Sequence, residues 1–91
     1  MLEVHYFAAA RAAAGTAQEQ IPDAQVPARL GELLDQLVAA HPGTTEAGMG
    51  LEEILPRCTF LVDGSAAGDS YRGVALGGVT RVDVLPPFAG G

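Results

Sequence analysis

The sequence predicts a two-layer α+β domain, with one amphipathic helix laid across a small sheet. Three observations carry this reading. Residues 1–8 and 80–85 alternate between apolar and polar side chains with period two, the signature of half-buried strands. Leu30, Leu33, Leu34, Leu37 and Val38 fall at helical spacing and form a single apolar stripe. One such helix can cover only one face of a sheet, which gives two layers rather than three. At 91 residues the chain is one small domain, burying only about 60–65% of the surface its unfolded form exposes.

The elements follow in order. Leu2, Val4 and Tyr6 are predicted on one face of the first strand, with Glu3, His5 and Phe7 on the other. The alanine-rich run 8–14 is expected to form a single helical turn or a wide loop, closed by Gly15. Residues 16–21 are expected to be a second strand that completes a hairpin. The main helix is predicted over 27–40, with Pro27 in its first turn and Pro42 forcing its end near His41. Gly31 costs that helix about 1 kcal/mol relative to alanine, a cost that close approach to the sheet would explain. Residues 43–50 read as a loop and 51–55 as one helical turn ended by Pro56. A third strand is predicted over 58–63, with Cys58, Phe60 and Val62 opposite Thr59 and Leu61. Asp63-Gly64 signals a turn. Residues 70–76 are expected to hold a short strand. In the last strand, Val82 and Val84 share a face opposite Arg81, Asp83 and Leu85. Pro86-Pro87 ends the ladder, because neither proline has an N–H to donate.

Composition excludes several functions. The net charge is −6, which argues against nucleic acid and anionic membranes and points to a protein partner with a basic docking face. All five basic residues are arginine, so there is no lysine for a Walker-type phosphate loop or a Schiff base. Cys58 is the only cysteine; no internal disulfide is possible, and a buried structural thiol is the expectation. No stretch approaches the ~20 apolar residues of a membrane span, and no leader pattern opens the chain. A cytoplasmic location is therefore expected. His5, His41 and Cys58 make no metal spacing, and Glu52-Glu53 reads as a solvated helix face. No metal or bound cofactor is expected.

The remaining candidate is the end of the chain, Pro86-Pro87-Phe88-Ala89-Gly90-Gly91. Five residues from Pro87 span about 16 Å when extended, long enough to enter a partner's active-site channel. Glycine passes where any Cβ would clash. Residues 1–87 are read as the folded domain and 88–91 as a mobile tail. If the first and last strands are neighbours, Phe7, Leu85 and Phe88 form an apolar partner-binding patch at the tail's root.

Tyr6-Phe7-Ala8 with Arg11 and Gly15, His41-Pro42, Val62-Asp63-Gly64 and Pro-Pro-x-x-Gly-Gly occur here in an order covering nearly the whole chain. In these pieces the sequence resembles the ubiquitin-like beta-grasp sulfur carriers, most closely the molybdopterin synthase small subunits. The resemblance implies a mixed beta-grasp sheet with one main helix on one face. It also implies a carrier without turnover of its own, whose terminal Gly91 carboxylate is adenylated and converted to a thiocarboxylate. Gly90 and Ala89 would form the narrow passage. The implied partners are a ubiquitin-activating-like adenylyltransferase, which uses the ATP, and the large synthase subunit or another sulfur acceptor. One departure is Gly78-Val79-Thr80, where relatives carry an acidic Asp-Gly-Asp turn. Sulfur delivery to thiamin, cysteine or a specialised metabolite, and conjugation to proteins as a modifier, remain alternatives.

Overall fold

The computed structural model describes residues 1–87. Phe88, Ala89, Gly90 and Gly91, with the mobile-tail expectation placed on them, lie outside the described residues. Five strands form one mixed sheet: β1 (Leu2–Tyr6), β2 (Gln18–Ile21), β3 (Thr59–Val62), β4 (Ser65–Ala66) and β5 (Arg81–Leu85), in the order β2-β1-β5-β3-β4. The two strands with the clearest alternation, β1 and β5, lie at the centre and pair in parallel, with Val4 opposite Val82 and Tyr6 opposite Val84. They are neighbours, as the beta-grasp expectation requires. The other pairings are antiparallel.

Three helices complete the domain: α1 (Ala8–Ala14), α2 (Leu30–Ala40) and α3 (Leu51–Ile54). The stripe on α2 meets the inner face of the sheet as its spacing predicts. Leu30, Leu33, Leu34 and Leu37 join Leu2, Val4, Tyr6, Phe60, Val82 and Val84 in one buried cluster, against which Val38 is partly buried.

Three local expectations are corrected. The alanine run is neither one turn nor a loop but a seven-residue helix, ended by Gly15 in the left-handed region at φ 77°. The main helix begins at Leu30, not Pro27, because residues 28–30 are engaged elsewhere. Leu76 donates to the Ala28 carbonyl, and Leu30 to that of Val74, at 2.9 and 2.8 Å. Residues 70–76 form a 3₁₀ turn at Tyr71–Gly73 and a single bridge from Ala75 to Arg29 instead of a strand. The fourth strand is the two-residue Ser65–Ala66, which follows a tight hairpin at Asp63-Gly64. Both turn residues have positive φ, 48° and 85°, the geometry of a type I′ turn.

Gly31 does permit a close approach, but to the Tyr71–Gly73 turn rather than to the sheet. A Cβ there would stand 2.9 Å from Arg72 Cβ and 3.0 Å from its carbonyl oxygen. Arg72 meanwhile bonds to the Gly31 carbonyl and to Asp35. Gly31→Ala should therefore lower stability by about 1–2 kcal/mol despite its better helix propensity. A thermal melt checks this, with an expected fall of roughly 5–10 °C. An unchanged or raised melting temperature would show that the turn yields freely.

Candidate functional site

Both neighbours of β5 bring side chains to the end from which the tail leaves. β1 runs parallel to β5, so its C-terminal end, with Phe7, lies beside Leu85; the Phe7 N–H donates to the Val84 carbonyl at 3.2 Å. β3 runs antiparallel, so its first residue, Thr59, stands opposite Leu85. Phe7 is 40% exposed and Leu85 half-buried. Two of the three patch residues are thus brought together on the face away from α2, and the third, Phe88, is outside the described residues. Leu61, also half-buried, belongs to the same face one pair further along β3. Its period-two phase put it on this face, but only the register places it near Leu85. Ala8, directly after Phe7, has φ 50°, an uncommon backbone for a residue with a Cβ. It turns the chain from strand into α1. Pro86 is buried and Pro87 exposed, so the first proline anchors the exit and the second leaves it.

The rest of this sheet face is a lattice of charge. His5 Nε2 lies 3.0 Å from Glu3 Oε1, and Arg81 Nε donates to Asp83 Oδ1 at 2.8 Å. Across the strands Glu3 faces Arg81, an unlike-charge pair, and His5 faces Asp83. Asp83, on the sheet face opposite Val82 and Val84, is nonetheless only 8% exposed, because His5 and Leu61 flank it on both neighbouring strands.

His41 ends α2 and turns inward. Its Nε2 is 3.0 and 3.1 Å from the Glu19 carboxylate oxygens, to which the Tyr6 hydroxyl donates at 2.6 Å; the Tyr6 and His41 rings meet edge to face at 5.8 Å. Burial, then the Glu19 bond and charge, push the Tyr6 hydroxyl far above its ordinary range, so it remains a donor. This cluster ties β1, β2 and the end of α2 together. Cys58 is half-buried and donates to the Ile54 carbonyl at 3.3 Å. Burial pushes its thiol up to about 11, which leaves little thiolate at neutral pH.

Among the described residues no group of three or more His, Cys, Asp or Glu side chains could hold a metal, and no helix is long and apolar enough to cross a membrane. Among the described residues, a cleft of about 550 Å³ lies between Asp23, Val26, Leu76 and Thr80. It sits at the start of β5, the end opposite the tail.

The family model described as the ThiS family matches residues 4–91, from the first strand through the terminal glycines. The chain belongs to the ThiS family. The crystal structure of SAMP1 from Haloferax volcanii is similar at 29% identity, covering 99% of this chain and 98% of that one, with a TM-score of 0.70. The solution structure of the HVO 2177 protein from the same organism is 26% identical, covers 99% of this chain and 85% of that one, and has a TM-score of 0.68. Comparison with curated protein sequences gives no match. The fold is the ubiquitin-like beta-grasp, and this ThiS-family chain is a small ubiquitin-like protein of the sulfur-carrier or modifier type.

Proposed function

We propose that this ThiS-family protein carries sulfur on the C-terminal carboxylate of Gly91 and donates it, as a small synthase subunit, in molybdopterin formation. The observation that carries the reading is the family match running through Gly91, on a chain whose last strand is central in the sheet and ends in Pro86-Pro87. The order of Tyr6-Phe7-Ala8, Arg11, Gly15 and Pro-Pro-x-x-Gly-Gly supports the molybdopterin assignment over the other acceptors.

The chemistry follows from the weakness of a carboxylate as an electrophile. With a pKa of about 3.5, the terminal group is ionised at neutral pH. Its oxygen attacks the α-phosphorus of ATP on the partner adenylyltransferase and expels pyrophosphate. A sulfide equivalent then attacks the acyl carbon, AMP leaves, and Gly91 ends in a thiocarboxylate. This sulfur is the nucleophile the acceptor enzyme uses. Gly90 and Ala89 let the backbone pass through a narrow channel.

The same fold and tail also suit a protein modifier joined through Gly91 to target lysines, and the whole-length likeness to SAMP1 is compatible with it. With no lysine of its own, the chain could not extend itself through its side chains. Intact-mass measurement of the chain ending at Gly91, after incubation with ATP, a ubiquitin-activating-type adenylyltransferase and sulfide, separates the readings. Replacement of one oxygen by sulfur supports the carrier, isopeptide adducts on added protein support the modifier, and an unchanged mass argues against both. In the same assay Cys58→Ser should load like the parent, because the thiol is protonated and held by Ile54. Loss of loading in a folded Cys58→Ser protein would move the sulfur chemistry to the thiol.

A further inference from the structure

Arg11 and Arg57 stand apart from the other cations of this acidic chain. Arg29 donates to the Gly73 carbonyl, Arg72 to Asp35 and the Gly31 carbonyl, and Arg81 to Asp83. Among the described residues, no carboxylate lies within ion-pair distance of Arg11 or Arg57, and neither guanidinium makes a hydrogen bond. Both are exposed. An exposed arginine in a chain of net charge −6 has many possible partners, so two unpaired at one end require an explanation.

Topology places both at the root of the tail. Arg11 lies one helical turn after Phe7, whose carbonyl accepts its N–H at 3.3 Å, and Phe7 is beside Leu85. Arg57 precedes by two residues Thr59, which is opposite Leu85 on the other side of β5. From strand spacing and rise, each Cα is on the order of 10 Å from Leu85. Arg11 also lines an open cleft of about 400 Å³ with Ala8, Gly15 and Thr16. Glu53, the carboxylate nearest Arg57 in sequence, is exposed on α3 and outside ion-pair distance, while Glu3 and Glu19, the nearest to Arg11, are bonded to His5 and to Tyr6 and His41.

We infer that Arg11 and Arg57 form a cationic collar around the tail root that docks on carboxylates rimming the tail channel of the activating enzyme. The inference rests on the terminal-carboxylate reading above. Reach excludes the nucleotide as the anion. A tail extended over about 16 Å carries Gly91, and any adenylate on it, well beyond an arginine rooted at the base of the tail. The groups that meet the collar when the tail is fully inserted are those at the channel mouth. Two guanidiniums left unpaired at this end call for acidic groups on the part of the partner's face that meets them, even if that face is basic elsewhere. Paired charges of this kind set register and association rate.

The test is ATP–pyrophosphate exchange by a ubiquitin-activating-type adenylyltransferase, titrated with the full chain at two ionic strengths. The double variant Arg11→Gln/Arg57→Gln should raise KM roughly tenfold with kcat within about twofold, and should flatten the salt dependence. The control Arg29→Gln/Arg72→Gln removes the same charge far from the tail and should leave KM within about twofold of the parent. Thermal melts confirm that each protein is folded. Equal KM and equal salt dependence for the collar variant and the parent would overturn the collar alone. An equal rise in both double variants would reduce it to an effect of net charge. No exchange with the parent would overturn the terminal-carboxylate reading and the collar with it.

Discussion

Deleting Gly91 is expected to abolish sulfur loading while leaving the melting temperature almost unchanged. The deletion keeps a terminal carboxylate and a glycine to carry it, so the chemical group itself is not lost. What changes is reach, by roughly 3.3 Å, the length of one extended residue. Misplacing a reacting atom by about 1 Å can cost about a hundredfold in rate, so loading should fall by at least that factor. Stability should not follow, because the buried cluster is assembled from residues between Leu2 and Val84. Intact-mass loading assays and thermal melts on the same preparation make the comparison. A truncated protein that loads normally would show that the activating enzyme does not measure the tail. A large fall in melting temperature would mean that the tail contributes to the fold.

The elements read well from the sequence are those with strong contrast between apolar and polar neighbours. β1, β5 and the stripe of α2 have it, and their faces were legible to the residue: Leu2, Val4, Tyr6, Val82 and Val84 are all buried. The run 8–14 has no such contrast, since alanine is weakly apolar at every position but Arg11, and its length could not be read. Only the fold separates Ala10 and Ala13, which are buried, from their neighbours. Ser65–Ala66 is too short for any period to show. Tyr71 mimics a strand residue, yet its ring packs on Phe60 at 4.7 Å and its segment turns to meet Gly31.

The candidate site divides in the same way. The alternation of β1 and β5 put Phe7 and Leu85 on one face, and the parallel pairing then made them neighbours. Side chains whose importance depends on register across the sheet were not legible. Leu61 gains its place from its pairing opposite Asp83, and Asp83 is covered because strands flank it on both sides. Arg11 was visible as part of a motif, but its pairing state, and its relation to Arg57 across β5, required the fold.

Truncation of Phe7 is expected to weaken binding to the sulfur-accepting partner about thirtyfold. Phe7 and Leu85, with Leu61 beside them, form the apolar part of a sheet face otherwise built from Glu3, His5, Arg81 and Asp83. Removing a central aromatic from such an interface commonly costs 2 kcal/mol or more, which corresponds to about thirtyfold in Kd. The fold should tolerate the change, because the Phe7 side chain is outside the buried cluster and 40% exposed. Glu3→Gln is the informative contrast. Glu3 is exposed at the far end of the charge lattice, so its loss should slow association and reduce its salt dependence while leaving dissociation close to the parent. The measurement is binding kinetics at two ionic strengths for the parent, Phe7→Ala, Leu85→Ala and Glu3→Gln, with circular dichroism to confirm folding. On the reading proposed above, the large synthase subunit is the partner to immobilise. The effect of Phe7→Ala should appear mainly in the dissociation rate, as burial at an interface core predicts. If Phe7→Ala and Leu85→Ala both bind like the parent, this face of the sheet is not the docking surface, and recognition must rest on the tail and its arginine-flanked root.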